Sequence, residues 1–304
     1  MGEKSKTLGE LGENKVKYLM DLVGWSPNTK NLSIPCIASE EHKENIEPRR
    51  THGIDALYRY ECPLVENSLA FVVVSSKNQG DYNAKPTIAK KYFVELANTI
   101  NCFKESEIRK DISKLYKLNR KYIGIVFWLS EGDDEIDLIN KFSEENLLPG
   151  VKNTFHAIVL IDNLKANFLF DSVNYVKDNY INTEFYYHNT GYNSSPTNRI
   201  TSGHILPAEV INSGLLTFKA SEGDIDCLIV VSIERYSEEG FKRLISLCQN
   251  ITDNWVEKVV ILFGEYNNTD SSSVDKVKLS VKDDKFTRKI DVNSFKQSLR
   301  NVNI

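Results

Sequence analysis

The 304-residue sequence has no long hydrophobic run. No stretch of it approaches the roughly 18–20 apolar residues that a membrane-spanning helix requires. Its amino-terminal stretch, MGEKSKTLGELGENK, is polar and lacks the apolar segment of a secretory signal. These absences predict a cytoplasmic protein that makes no use of a membrane.

Paired cysteines are also missing. The five cysteines are odd in number and include neither a C-x-x-C pair nor a Cys/His spacing typical of a zinc site. Residues 200–304 likewise contain no G-x-G-x-x-G, no Walker loop and no His/Cys cluster. The sequence therefore predicts reduced core or surface thiols, namely Cys36, Cys62, Cys102, Cys227 and Cys248.

An overall excess of positive charge is absent as well. The net charge is −4 and the isoelectric point is near 5.9, so any nucleic-acid-binding surface must be local. Residues 83–121 carry ten Lys or Arg against four acids, which makes them the best candidate for a phosphate-facing surface. The competing interpretation is an ordinary solvated helical face. The first cations of this segment are Lys85, Lys90 and Lys91.

The most informative stretch is residues 53–79, GIDALYRYECPLVENSLAFVVVSSKNQ. It reads as two strands joined by a connection that contains Pro63 and Asn67. If the hairpin is symmetric about Val65, facing residues have numbers that sum to 130, so Asp55 lies opposite Ser75. Side chains two positions apart share a face, so Lys77 is expected on the face of Ser75.

The PD-(D/E)xK, or restriction-endonuclease-like, nucleases have an active-site pattern of glycine-hydrophobic-Asp at the start of one strand, followed about twenty residues later by acid-x-Lys on the next. The stretch from Gly53 to Lys77 resembles this pattern. Asp55 matches the metal-binding aspartate of that pattern, and Lys77 matches its lysine. The resemblance implies that Lys77 stabilises the transition state and orients the attacking water.

Ser75 stands where the family usually has Glu, Asp or sometimes Gln, so the motif is a D…SxK variant. Serine offers only a neutral oxygen, which predicts weaker metal binding unless another group completes the metal's ligands. Gln79 and Asp81, just beyond the strand, and Glu95, on the following helix, are candidates for this role. Each of them is otherwise an ordinary polar cap or turn residue.

Residues 7–23 have helical apolar periodicity, and on a helical wheel Glu13 lies at the edge of the apolar stripe. A helix before the active-site strands often supplies an extra carboxylate from a Gly-Glu pair in this family, and Gly12-Glu13 is similar to that pair. The resemblance implies that Glu13 is a second metal ligand, direct or through water. The alternative is a solvated helix with a Glu13–Lys17 pair.

The order of predicted elements is typical of an α/β fold with a restriction-endonuclease-like core. A helix, three strands that start antiparallel, a second helix and a further strand come first, and additional α/β units follow. The polar stretch at residues 189–200 predicts a boundary between a nuclease-like domain at 1–190 and a smaller α/β domain at 200–304. The last element predicted is a helix at Asp291–Leu299.

The resemblance implies a metal-dependent nuclease, most often acting on DNA with Mg²⁺ or Mn²⁺, in a prokaryotic antiphage defence or restriction system. A companion protein, a homodimer or both are expected, with the second domain serving docking or substrate binding. The alternative is a catalytically degenerate member of the fold that binds nucleic acid or serves as a structural subunit of a complex. Ser75 supports that alternative.

Overall fold

The computed structural model describes residues 2–26, 29–43, 47–114, 116–132, 136–152, 154–193, 199–252 and 255–296. The chain divides into two compact units, Met1–Ala166 and Asn167–Ile304. Each unit has its own β-sheet, and both sheets mix parallel and antiparallel pairs. The fold is therefore α/β, as the sequence predicts. No helix within the described ranges is long and apolar enough to cross a bilayer.

The described residues of the first unit form an amino-terminal helix, five strands, three further helices and the start of a fourth, α5 (Asn163–Asn179). Its five-stranded sheet has the order β1-β2-β3-β4-β5. The pairs β1/β2 and β2/β3 are antiparallel, whereas β3/β4 and β4/β5 are parallel. The elements are α1 (Gly2–Leu22), β1 (Thr29–Pro35), β2 (Thr51–Glu61), β3 (Ser68–Gln79), α2 (Pro86–Glu105), α3 (Glu107–Lys114), β4 (Asn119–Ser130), α4 (Leu138–Lys141) and β5 (Ala157–Ile161).

The β2–β3 hairpin has the register that the sequence predicts. Its ladder runs from Glu61 opposite Leu69 to Ala56 opposite Val74, and every pair of numbers sums to 130. The turn places Asn67 in the left-handed region, with φ of 54°, a conformation that asparagine tolerates. The ladder stops at Ala56 and Val74, so the two strands separate at Asp55.

The odd-numbered residues of β3 face α2 and the even-numbered ones face α1. Phe71 packs edge-on against Phe103 of α2, with ring centroids 5.8 Å apart. On the other face, the Asn78 side-chain amide donates to the Leu8 carbonyl of α1 at 2.8 Å. The sheet is thus covered on both faces, which explains why the centre of β3 is buried throughout.

The second unit contains a six-stranded sheet of order β11-β10-β9-β8-β6-β7. Helix α5 begins in the first unit and continues into the second. The elements are α5 (Asn163–Asn179), β6 (Ile181–Tyr186), β7 (Ser202–Gly203), β8 (Leu215–Glu222), β9 (Ile225–Arg235), α6 (Glu238–Ile251), β10 (Lys258–Glu265), α7 (Ser271–Ser280), α8 (Asp284–Thr287) and β11 (Ile290–Ser294).

Two expectations about this half differ from the structure. The sequence assigns β6 to the first domain, but β6 pairs with β8 in the second sheet, and the units divide at Ala166 rather than near residue 190. The polar stretch that suggested the boundary lies within the second unit. The predicted terminal helix is wrong, because Ile290–Ser294 forms a parallel strand beside β10; residues 297–299 lie outside the described residues.

Candidate active site

The candidate site lies where β2 and β3 separate. Asp55 Oδ2 accepts a hydrogen bond of 2.6 Å from the backbone N–H of Ser76. The carboxylate thus takes the place of the next ladder bond, which fixes it against the β3 backbone. Opposite Asp55 in β1, Asn31 has φ of 49°, and the Asn31–Asp55 pair is absent from the otherwise regular β1–β2 register. The interruption of the β1–β2 pairing and the bond from the Ser76 N–H to the Asp55 side chain therefore occur at the same residue, Asp55.

This distortion changes the face on which Asp55 lies. Ile54 and Leu57 both belong to the core cluster under α2, although strict alternation would place them on opposite faces. Asp55 and Ala56, between them, line one small cavity on the α1 face. The expectation that Asp55, Ser75 and Lys77 share a single face is therefore wrong, because the alternation is interrupted at Asp55.

Glu13 and Asp55 line the same cavity, which has a volume of about 90 Å³. Glu13 comes from α1 and is exposed, whereas Asp55 is half-buried. The remaining lining residues are Asn14, Val16, Lys17, Asn31, Ala56, Tyr58, Val74 and Ser76. Desolvation by burial, with a smaller contribution from Asp21, raises the pKa of Tyr58, so its phenol stays protonated at neutral pH. Two carboxylates that line one cavity are suitable ligands for a hard divalent cation.

Lys77 and Gln79 lie on the opposite face, against α2. Lys77 Nζ is 3.9 Å from Glu95 Oε2 and 5.4 Å from the centroid of the Tyr92 ring. Gln79 Nε2 donates to Tyr92 Oη at 2.8 Å. Burial raises the pKa of Tyr92 and Glu95 raises it further, while the Gln79 hydrogen bond lowers it. The second half of the site is therefore a lysine held by a carboxylate and an aromatic ring.

Ser75 shares the α2 face with Lys77 and is half-buried. It is not Ser75 but its neighbour Ser76 that lines the cavity and binds Asp55. The sequence could not indicate Ser76, because it contributes a backbone N–H and the type of side chain does not reveal a backbone contact. Sequence reasoning also missed Tyr92, although Tyr92 and Glu95 are three apart in a predicted helix and so share a face.

The candidate phosphate-binding lysines differ in their surroundings. Lys90 pairs with Glu145 at 2.9 Å, whereas Lys85 and Lys91 are exposed and form no ion pair within the part of the chain that the structure describes. Further along the basic segment, Lys110 and Lys114 pair with Glu107 and Asp111 on α3. Much of the positive charge of this segment is therefore neutralised locally, and Lys85 and Lys91 remain available to a polyanion.

A comparison with family models matches residues 1–165 to the family described as GAPS4 protein PD-(D/E)XK nuclease domain. The match ends within a residue of the division between the two structural units. No curated protein matches the chain. The match covers the helix, the hairpin and α2, and therefore every residue of the candidate site.

Proposed function

Because the chain belongs to the family of PD-(D/E)XK nuclease domains of the GAPS4 antiphage defence system, we propose that its first unit hydrolyses phosphodiester bonds in DNA. The observation that carries the proposal is the cavity shared by Asp55 and Glu13 at the point where β2 and β3 separate. The activity depends on Mg²⁺ or Mn²⁺. We place the protein in the cytoplasm, where invading DNA is encountered.

Asp55 is the principal metal ligand in this proposal. One of its oxygens, Oδ2, accepts the Ser76 N–H, and the carboxylate keeps further lone pairs on both oxygens with which it would bind a cation. Glu13 contributes a second carboxylate, directly or through a water, and the cavity has room for several of the waters that Mg²⁺ retains. Bound metal supplies a water of lowered pKa and polarises the phosphate.

The family resemblance assigns Lys77 the role of a fixed positive charge for the phosphoryl oxygens, although its ammonium lies on the face of β3 opposite Asp55, beside Glu95 and Tyr92. Glu95 Oε2 lies 3.9 Å from the ammonium, so Glu95 provides a carboxylate on the face where Ser75 has none. Glu95 positions Lys77 through this ion pair. Ser75 contributes a neutral oxygen, and Gln79 positions Tyr92 beneath the lysine.

The exposed Lys85 and Lys91 bind the DNA backbone beside the site, and Lys90 does so when it is released from Glu145. Residues 167–304 dock a companion protein or a second copy of the chain, or hold part of the substrate. This assignment rests on the separate sheet of that unit and on the family's defence context.

The second candidate function is nucleic-acid binding without cleavage, as a subunit of a complex. Ser75 and the separation of Lys77 from Asp55 onto opposite faces favour it, because both weaken the usual catalytic arrangement. Wild type, Asp55→Ala and Lys77→Ala, incubated with plasmid, linear and single-stranded DNA and with RNA in Mg²⁺, Mn²⁺ or EDTA, distinguish the two functions. Asp111→Ala, on the exposed face of α3, is the matched control.

We expect metal-dependent cleavage by wild type and Asp111→Ala that both other variants lose. Binding without cleavage in every metal, also with a co-purified companion protein, would instead establish the second function. Ser75→Glu is a further test, because an increase in cleavage rate or in metal affinity would identify the wild-type site as a weakened nuclease site. Glu95→Gln, with Glu107→Gln as its control, tests whether Glu95 positions Lys77.

A further inference from the structure

Four potential metal ligands converge on the α2 face of the first unit, away from the Asp55 cavity. Cys36 follows the end of β1, His42 lies in the next loop, His52 is in β2 and Cys102 is in α2. One donor atom from each lies within 4.8 Å of all the others. His52 and Cys102 are completely buried, while Cys36 and His42 are half-buried.

Three of the six donor–donor distances, those among Cys36, His42 and Cys102, have the dimensions of a tetrahedral zinc site. His42 Nδ1 is 3.4 Å from Cys36 Sγ and 3.5 Å from Cys102 Sγ, and the two sulfurs are 4.0 Å apart. Zinc–sulfur and zinc–nitrogen bonds of about 2.3 and 2.0–2.1 Å give tetrahedral edges of about 3.6 Å for S···N and about 3.8 Å for S···S. The three edges agree with this geometry to within about 0.2 Å.

His52 presents a nitrogen toward which no hydrogen-bond donor is directed. Thr99 Oγ1 donates its one hydrogen to the Glu95 carbonyl at 2.8 Å, so it can only accept the 3.3 Å bond with His52 Nδ1. Nδ1 is therefore the protonated nitrogen, and Nε2 carries a lone pair. Among the described residues, Nε2 is a buried atom without a hydrogen-bond partner. A buried imidazole nitrogen with a lone pair and no hydrogen-bond donor can coordinate a cation.

We propose that Cys36, His42, His52 and Cys102 bind a structural Zn²⁺ ion. Two thiolates and two imidazoles in tetrahedral arrangement are the donor set that zinc prefers, and four protein ligands leave no open position for catalysis. Thr99 orients His52 from behind, as partners of metal-binding histidines commonly do. A cavity of about 880 Å³, lined by His42 and Cys102 among others, gives the ion a route to solvent.

The sequence shows no zinc-site pattern because these four residues are not paired along the chain. Five residues separate Cys36 from His42, nine separate His42 from His52, and forty-nine separate His52 from Cys102. The β1–β2 antiparallel pair brings Cys36 beside His52, since the Cys36 N–H bonds the Arg50 carbonyl at 2.9 Å. Only the packing of α2 on this edge adds Cys102, so tertiary structure creates the site.

Zinc here fastens the sheet edge to α2, the helix that also carries Tyr92 and Glu95. This role is independent of the nuclease proposal, because it concerns different ligands and a closed site. The alternative is a disulfide between Cys36 and Cys102. It requires a sulfur–sulfur distance of about 2.05 Å, so the two sulfurs, now 4.0 Å apart, would have to move together. The experiment must distinguish the two.

Zinc content is measured by elemental mass spectrometry on the untagged full chain, purified under reducing conditions. We expect a single zinc ion per chain in wild type and in Asp55→Ala, which alters only the proposed catalytic metal site. Cys36→Ala and Cys102→Ala should lose the ion. Cys62→Ala, which removes another buried cysteine of the same unit, should retain it.

Two further measurements cover the case in which cysteine variants fail to fold. Cobalt(II) replacement should give the thiolate charge-transfer bands and intense visible bands of a tetrahedral site. Thr99→Val, which removes the hydroxyl that bonds His52 Nδ1 and the Glu95 carbonyl but none of the four ligands, should weaken zinc binding about 10- to 100-fold. The proposal is overturned by folded wild type that takes up no zinc on reconstitution, by Cys36→Ala or Cys102→Ala protein with full zinc content, or by a Cys36–Cys102 disulfide in the reduced preparation.

Discussion

Gly12 of α1 lies directly on Asn78 of β3, so closely that a Cβ atom at position 12 would be 2.3 Å from the Asn78 Cβ. The Asn78 amide reinforces this crossing through bonds to the Leu8 carbonyl and to Glu131. Because only glycine permits the contact, the next residue, Glu13, reaches the Asp55 cavity. The close contact of α1 with β3 thus explains why a glycine precedes Glu13 in the sequence.

Gly12→Ala should displace α1 from β3, because the contact is with a Cβ atom and not with a flexible side-chain end. We expect a loss of about 1–3 kcal/mol in the free energy of unfolding, together with reduced cleavage. Gly9→Ala is the matched control: a Cβ there meets nothing within 4 Å, so alanine should stabilise the helix by about 1 kcal/mol. Equal melting temperatures for the two variants would contradict the close crossing.

Glu131 links α1 to the end of β4 and should contribute to the pH dependence of stability. Hydrogen bonds from Lys15 and Asn78 lower the pKa of Glu131 from its ordinary value of 4.5. A folded pKa below the unfolded one gives stability that is complete above about pH 4.5 and is lost as the pH falls through the folded pKa. Denaturant titrations from pH 7 to pH 3 should show a shallower acid loss for Glu131→Gln than for wild type. A parallel loss would exclude this contribution.

Tyr92 holds Lys77 through its ring and Gln79 through its hydroxyl, so two substitutions separate the contributions. Tyr92→Phe keeps the ring 5.4 Å from Lys77 Nζ and should leave the single-turnover cleavage rate near wild type. Tyr92→Leu removes the ring and should lower the rate about two- to fivefold, the equivalent of ~0.5–1 kcal/mol. If Phe and Leu reduce the rate equally, the Gln79 hydrogen bond and not the ring positions the lysine.

Gly124 sits in β4 under α2, where a Cβ would be 2.8 Å from Ile100 Cδ1 and 2.9 Å from Leu96 Cδ2. Both neighbours are buried core residues with little freedom to move. Gly124→Ala should therefore destabilise the unit by about 1–3 kcal/mol in chemical denaturation. Gly53→Ala, in β2 with nothing within 4 Å of its Cβ, should be neutral or slightly stabilising.

Lys85 and Lys91 should contribute to DNA affinity by phosphate contact. Their joint replacement by alanine should weaken binding to all sequences and reduce the slope of log K against log salt by about 2. Lys110→Ala with Lys114→Ala removes the same charge from residues already paired with acids and should change the slope less. Titrations by fluorescence anisotropy at several salt concentrations measure both slopes.

The hairpin register was predictable because it depends on local symmetry: strands joined by a short connection with Asn67 and Pro63 can pair in few ways, and Ala56 opposite Val74 follows. The face of Asp55 was not predictable, because it depends on the left-handed backbone of Asn31 in β1 and on a bond to the Ser76 backbone. The Cys36–His52–Cys102 convergence likewise required the packing of α2. The strands and their register could thus be predicted from local sequence pattern, whereas the side chains that come into contact depend on long-range packing.

The sequence distances between these contacts also imply an order of assembly. Asp55 meets the β3 backbone across 21 residues, Asn78 reaches Leu8 across 70, and Lys15 pairs with Glu131 across 116. Closing a longer loop costs more chain entropy, so we expect the hairpin contact to form before the Lys15–Glu131 clamp. A nascent chain that ends before Glu131 would hold Asp55 on the hairpin but would lack the carboxylate that pairs with Lys15 of α1.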